Sequence, residues 1–365
     1  MAETIVKSCG WQKTLTELKE YIAANPGIRI ERDHIIIPEN VRSEFYRLFN
    51  DTRTSSVDRV LPTVFAKSCD LSENFKKVKG DLRKTLGIEE VSMRPDLDRF
   101  LQNPKEELVS KIFNALFDVL KGNTSIEVYE AEVYKKTFPY FTTLYRDGYE
   151  KWMLLSLVKM LTPGKLLQAN CRKYCSPEEA VRAKKSHPAE PVPVPEEAKS
   201  ILFHFDNVIP LMMADVIIYS EKTGKYISTR SHFTLPFNTA GSVSVNREWY
   251  SFEEALRWND GITLLYTDSG PNDIALVAHA GGVCRPDIII ACESHAGWFE
   301  SEKLNQIKAC HDNLKPRLGT YIISKESVPD ELTSCPEKGV YIICAGFDAD
   351  KLSPIVDLLA CENPA

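Results

Sequence analysis

Pro286-Asp287-Ile288-Ile289-Ile290-Ala291-Cys292-Glu293-Ser294-His295 is the stretch on which the fold of this chain turns. Three isoleucines, an alanine and a cysteine make an apolar run of strand length, closed at both ends by polar residues. Such a run reads as a strand inside a covered sheet, where cysteine behaves as a small hydrophobe. Working outward, residues 297–314 have the spacing of an amphipathic helix, 319–324 and 340–345 read as strands, and 351–359 as a closing helix. On the other side lie a strand at 274–279, a turn at 268–272, a strand at 262–267 and a short helix at 251–258. Ser251 caps that helix and Glu254 takes the capping-box position. Further upstream, residues 214–220 and 225–229 flank Glu221-Lys222-Thr223-Gly224, a hairpin signal. Strands alternating with helices predict an α/β domain over 198–365, built on a mixed sheet with helices on its faces.

The first half has a different period. Residues 11–25 are apolar at Leu15, Leu18, Tyr21 and Ile22, a helix stopped by Asn25-Pro26-Gly27, and 28–30 with 34–37 read as a short hairpin. From residue 38 to about 183 the spacing is mostly helical. Val41, Phe45, Leu48 and Phe49 share one face; Leu108, Ile112, Phe113, Leu116, Phe117 and Leu120 share another, ended by Lys121-Gly122-Asn123. Residues 152–161, apolar except for Lys159, predict a buried helix that stops at Thr162-Pro163-Gly164. Between 184 and 197 the prolines 188, 191, 193 and 195 predict an extended linker. The expected organisation is a helical domain over 1–183, a linker over 184–197 and the α/β domain over 198–365, so that the class is α/β in its second half and α+β overall.

Composition narrows the function. At 365 residues the chain exceeds one ordinary core, and 43% hydrophobic with 26% charged residues is an ordinary globular balance. The apolar runs fall short of the ~20 residues that cross a bilayer, and no signal-peptide core is present, so neither a membrane partner nor secretion is expected. Ten cysteines with no CxxC pair imply reduced thiols and a cytoplasmic location. A formal net charge of -6 gives no general basic footprint for nucleic acid, which leaves only a local groove.

Residues 250–325 supply the order helix, strand, strand, strand, helix, strand, with acids at Glu254, Asp273, Asp287 and Glu293. This order resembles the core of the PD-(D/E)xK, or restriction-endonuclease-like, superfamily. The resemblance implies a magnesium-dependent endonuclease acting on DNA phosphodiester bonds. In that family an acid on the first helix, an acid on the second strand and a Glu-x-Lys on the third converge on the cation. Carried over, Asp273, Asp287 and Glu293 are the expected magnesium ligands, and Glu254, Asp287, Glu293 and His295 the expected catalytic set. Carboxylates suit a hard cation, which polarises the phosphate and activates water. His295 occupies the lysine slot, and Lys303 or Lys308 on the following helix are the candidate replacements. Asp273 fits the topology better than Asp287, because six residues is a short interval for two different strands. Trp298, Lys303, Lys308, Lys315 and Arg317 are candidate phosphate contacts, and the helical half a candidate for DNA recognition or a homodimer contact.

Weaker patterns compete with this one. His279, Cys284, Cys292, His295, Cys310 and His311 mix sulfur and imidazole as zinc sites do, but no two cysteines stand two apart, and buried thiols with solvated histidines explain them better. Asp215, Arg230 and His232 mimic a second acid and lysine arm with Ser228 in place of the glutamate, and Arg182 to His187 mimics a helical ribonuclease pair among prolines. Cys171 and Cys175 are expected to be reduced. The opposing function class is a non-catalytic binding or scaffold protein on a nuclease-like or Rossmann-like core, with a protein or nucleotide partner. The missing lysine and the acidic balance favour it.

Overall fold

The computed structural model describes residues 10–31, 34–169, 195–203, 216–231, 249–251, 262–269, 278–279, 282–334 and 339–361. The chain divides into two compact units. One comprises residues up to Glu73 with Asp96–Tyr145, the other Asn74–Pro95 with everything from Arg146 on.

The first unit is helical. Helix α1 (Gly10–Ala24) buries Trp11, Leu15 and Leu18, one face at helical spacing. The expected hairpin is present as β1 (Arg29–Ile30) against β2 (Ile35–Ile36). Helix α2 (Glu39–Val60) buries Phe45, Leu48 and Phe49, and α3 (Val64–Leu86) follows, passing into the second unit after Glu73. The apolar run 108–120 is not one helix. It is α5 (Pro104–Ser110) and α6 (Phe113–Leu120), after α4 (Pro95–Gln102). Gly122, at a φ of 74° that a side chain disfavours, lets the chain turn after α6. Phe45, Phe49, Phe113 and Phe117 interlock, and the Arg53 guanidinium lies over the Phe49 and Phe113 rings. Helix α7 (Ile126–Met160) continues past Tyr145, and in the second unit its residues Tyr149 to Val158 are buried.

The second unit is built on an eight-stranded sheet, with a parallel pair beside it made by β3 (Glu90–Ser92) and β6 (Ser200–Leu202). Its strands are β4 (Pro163–Ala169), β5 (Pro195–Glu197), β7 (Val216–Ser220), β8 (Lys225–Ser231), β10 (Ile262–Asp268), β13 (Ile288–Glu293), β14 (Gly319–Ser324) and β15 (Val340–Cys344). Their order is β15-β14-β13-β10-β8-β7-β4-β5. Neighbours from β5 through β13 run antiparallel, while β13, β14 and β15 run parallel. Short strands β9 (Trp249–Ser251), β11 (Ala278–His279) and β12 (Gly282–Cys284) form a separate three-stranded sheet. An α/β architecture with a helical N-terminal region is therefore the observed class, as the periodicity predicts.

Two expectations are corrected here. Residues 163–169, placed in the helical half, form strand β4: Pro163-Gly164 ends helix α7, and Leu166 and Leu167 then align with Ile218 and Ile217 of β7. Pro195–Glu197, placed in the linker, forms edge strand β5, where a proline costs no ladder bond. The rest of 184–197 lies outside the described residues. So do 252–261 and 270–277, and with them the expected helix at 251–258 and most of the strand at 274–279.

Helix α8 (Glu302–Leu314) covers one face of the sheet, burying Ile307, Cys310 and Leu314 against Leu264, Ile289, Ala291 and Ile322. It starts later than its periodicity predicts. Trp298–Glu300 is a 3-10 turn, and Ser301 caps α8 by accepting from the Lys303 amide. Gly319 opens β14 at a φ of 117°, where a Cβ would stand 2.9 Å from the Gly339 carbonyl. Helices α9 (Asp330–Ser334) and α10 (Ser353–Cys361) complete the unit. Among the described residues no helix is long and apolar enough to cross a membrane.

Candidate functional site at the carboxyl end of strand β13

All six residues of β13 are buried, and Glu293 closes the strand with only 2% of its surface exposed. A carboxylate rarely lies so deep without a role, because desolvating a charge costs several kcal/mol unless it is offset. Alternation along the strand puts Glu293 on the face of Ile289 and Ala291, beneath α8, and Cys292 on the face of Ile288 and Ile290. Thr263 of β10 is registered with Ile290, and its hydroxyl donates to Glu150 Oε1 at 3.1 Å. Glu150 and Glu293 thus approach one strand end from the two faces of the sheet. The Cys292 thiol reports both: burial first, then Glu150 and Glu293, push its pKa well above the ordinary value, while Lys151 pulls the other way.

Helix α7 supplies the first of these groups. Its last turns are apolar at Trp152, Met153, Leu154 and Leu155, yet Asp147, Glu150 and Lys151 are buried with them. Lys151 Nζ lies 3.5 Å from Glu150 Oε1 and 4.7 Å from the centre of the Phe203 ring, so the cation is held between a carboxylate and an aromatic face. Asp147 holds two arginines, accepting from Arg94 Nη2 at 2.7 Å and from Arg146 Nε at 3.1 Å. His295 stands just past β13, more than half exposed, with Nδ1 3.9 Å from Glu293 Oε2. Partial burial, then the positive charges of Lys303 and Arg146, hold its pKa below the ordinary value. Glu150 and Glu293 therefore lie on opposite faces of the sheet near the carboxyl end of β13, with Lys151 beside the first and His295 beside the second, at the end where open α/β sheets place their ligands.

The expected residues fare unequally. Glu293 and His295 belong to this site. Asp287 does not, although both its catalytic and its magnesium-ligand roles were expected. It precedes β13, about 20 Å from Glu293 at the rise of a strand. Its Oδ2 accepts from the Thr267 amide and hydroxyl, and its Oδ1 from Arg317 Nε at 2.7 Å. Arg317 consequently serves the wrong end of β13 for a phosphate contact at Glu293. Trp298 is fully buried with its indole N–H donated to Ser324 Oγ at 3.0 Å, which removes it from any phosphate-binding surface. Lys303 lies close enough to depress His295 and remains at the site. Glu254 and Asp273 lie outside the described residues, as do Asp215, His232, Cys171, Cys175 and the segment from Arg182 to His187.

Among the described residues no group of three or more His, Cys, Asp or Glu side chains is placed to hold a metal ion. Of the zinc candidates, Cys310 has its thiol pushed up to about 12 by burial, and His311 Nδ1 is engaged with Thr320 Oγ1 at 2.9 Å. A protonated thiol is a poor zinc ligand. Two carboxylates without a third still suit magnesium, which keeps several waters and takes one or two protein carboxylates beside substrate phosphate oxygens.

Arg94, Arg146, Asp147, Glu150 and Lys151 are absent from the sequence expectations. A signal for them exists: Arg146, Asp147, Glu150 and Lys151 crowd into one stretch of a helix whose following turns are apolar all round. Charges in a buried helix are informative because they are expensive. No protein-family model matches the chain, and no curated protein or solved structure matches it.

Proposed function

We propose that this protein is a magnesium-dependent nuclease whose working centre is the carboxyl end of β13. Glu293 is the strand carboxylate and Glu150 the helix-borne acid, a role that the sequence assigns to Glu254. Lys151, rather than Lys303 or Lys308, takes the part of the lysine that His295 replaces. The observation that carries the reading is the pair of buried carboxylates flanking one strand end with a buried lysine beside them. Bound magnesium would polarise the phosphate and lower the pKa of a water. The chain's own residues hold the cation, keep the site dry on the Phe203 side, and place positive charge toward the developing anion.

The test is cleavage of supercoiled plasmid and of labelled single-stranded DNA and RNA with magnesium or manganese. Wild type is expected to nick or degrade at least one of these. Glu293→Gln and Glu150→Gln are each expected to lower the rate about a hundredfold or more, about 2.7 kcal/mol of transition-state stabilisation, with circular dichroism unchanged. His295→Lys, which restores the family's residue, is expected to raise a weak activity. Absence of cutting on every substrate, together with no calorimetric manganese binding, overturns the reading. The runner-up, a non-catalytic binding or scaffold protein with a protein or nucleotide partner, draws on one observation: among the described residues no group of three or more His, Cys, Asp or Glu side chains is placed to hold a metal ion. DNA as partner and a homodimer are part of the nuclease proposal.

A further inference from the structure

The parallel strands end in one row: Glu293 of β13 is registered with Ser324 of β14, and Ser324 with Cys344 of β15. Lys325 follows that row directly. Its amide donates to the Glu293 carbonyl at 2.8 Å, so this lysine is fastened to the backbone of the strand carboxylate. The chain leaving β15 then folds back over it. Gly346 turns the chain at a φ of 58°, which a side chain disfavours, and its amide donates with that of Ala345 to the Ser324 carbonyl. The turn delivers the Phe347 ring to the Lys325 ammonium, which lies 4.6 Å from the ring centre. Phe347 is itself set edge-to-face against Tyr149 and Trp152 of α7, at 5.7 and 5.1 Å between centres, and this fixes its plane. Tyr149 immediately precedes Glu150, so the ring, the ammonium and the helix-borne acid share the α7 face of the sheet.

What distinguishes Lys325 is the group that holds it. Lys159, Lys199 and Lys222 are paired with Asp81, Glu89 and Asp357, and each carboxylate cancels its lysine. Lys325, half-buried, makes no ion pair among the described residues. Asp348, next to Phe347, instead caps the 3-10 turn Ala349–Leu352 by accepting from the Asp350 amide. A ring quadrupole attracts an ammonium but carries no net charge, so the positive charge stays whole while the side chain is held in place. An uncancelled, positioned cation at the carboxyl end of parallel strands suits an anionic ligand, because part of the ordering cost of binding has already been met.

We propose that Lys325, positioned by Phe347, binds a phosphate group of the nucleic-acid backbone next to the bond that is cut. The proposal rests on the reading of the β13 end as a phosphodiester site. Lys325 is the group that touches phosphate, and Phe347 is a positioning residue that holds the ammonium without neutralising it. A lysine suits such a contact because its three rotatable donors can follow either non-bridging oxygen, and a phosphate contact carries no base preference.

Binding is measured on the full chain in EDTA, where no metal-dependent cutting occurs, by fluorescence anisotropy of labelled single-stranded and duplex oligonucleotides across a salt series. Lys325→Gln is expected to weaken binding about tenfold, and to lower the slope of log affinity against log salt by about one. Lys325→Arg should keep the slope and most of the affinity. Phe347→Leu keeps the charge but releases the side chain that carries it, so the slope should hold while affinity falls about threefold. Lys222→Gln, at a lysine already paired with Asp357, should change neither. A lysine that only packs on Phe347 would lower the thermal midpoint and leave the salt dependence alone, so an unchanged slope in Lys325→Gln overturns the proposal. No binding by wild type overturns it as well. If free pyrophosphate displaces the oligonucleotide at equal phosphate concentration, the site takes isolated phosphates rather than a backbone, and the backbone assignment is rejected. Should Lys325→Gln fail to fold, seen as a lost thermal transition, Lys325→Met keeps an apolar stem on the ring and takes its place, with the same loss of slope expected. A slope that falls as expected in a protein that cuts nothing indicts the catalytic reading alone, and cleavage with an unchanged slope in Lys325→Gln indicts this inference alone.

Discussion

Asp287 and Glu293 bracket the same strand, six positions apart, and their surroundings differ in kind. At the amino end Asp287 accepts from the Thr267 amide and hydroxyl and from the guanidinium of Arg317, which is about half exposed. At the carboxyl end Glu293 shares its neighbourhood with Glu150, Lys151, His295 and, beyond them, Arg94 and Arg146. The first arrangement pins a turn. The second holds more charge than a turn needs, at the end of the sheet where the strands run parallel. A carboxylate's function is thus set by which end of a strand it occupies and by what the adjacent helix brings to it, more than by the short motif around it.

The strongest challenge to that contrast is catalytic. If the ends are unequal as described, Glu293→Gln removes cleavage while Asp287→Asn leaves the rate unchanged in the same assay. Equal losses would erase the distinction. Next in size is stability. Lys151→Met removes the cation 3.5 Å from the buried Glu150 and should cost about 3–5 kcal/mol by urea denaturation. The double variant Glu150→Leu with Lys151→Met should recover most of that loss. At the other end Asp287→Ala should cost about 1–3 kcal/mol, since it strands the Thr267 amide, and Arg317→Ala less than about 1 kcal/mol. If Asp287→Ala proved the costlier, the amino end would be the more demanding electrostatic site.

The smallest effect is in pH. The His295 pKa is lowered in the folded chain from the ordinary 6.5, so below that value the unfolded chain binds the proton more readily. Stability present above pH 6.5 is therefore lost as pH falls toward the folded-state value. Thermal melts from pH 7.5 to pH 5 should show a shallow decline that His295→Asn flattens. An unchanged slope in the variant would mean that His295 is not held near Lys303 and Arg146.

Much of the fold is legible in the sequence, because its signals are local. The apolar run 288–292, the hairpin turn at Gly224 and the period of 297–314 depend on neighbours a few residues away, and a strand, a hairpin and a helix stand there, the helix beginning five residues later than its period predicts. Strand β4 is less legible, since its pairing with β7 is decided about fifty residues downstream. Half of the site is hidden for the same reason. Glu293 and His295 announce themselves at a strand end, whereas Glu150 is tied to the sheet through Thr263, 113 positions away. Sequence order offered Glu254 as the helix acid because it is the nearest helix upstream, and proximity along a chain is a poor guide to proximity across a sheet.

The pairing of β4 with β5 carries one more implication. Ala169 and Pro195 are direct partners across an antiparallel ladder, so residues 26 positions apart in the chain stand side by side in the sheet. Such a junction behaves as a seam. A cut made between these two partners would leave its new ends on neighbouring strands, β4 and the edge strand β5. The same seam is a natural place for a foreign domain to be grafted, since an insertion there need only begin and end one strand spacing apart, about 5 Å.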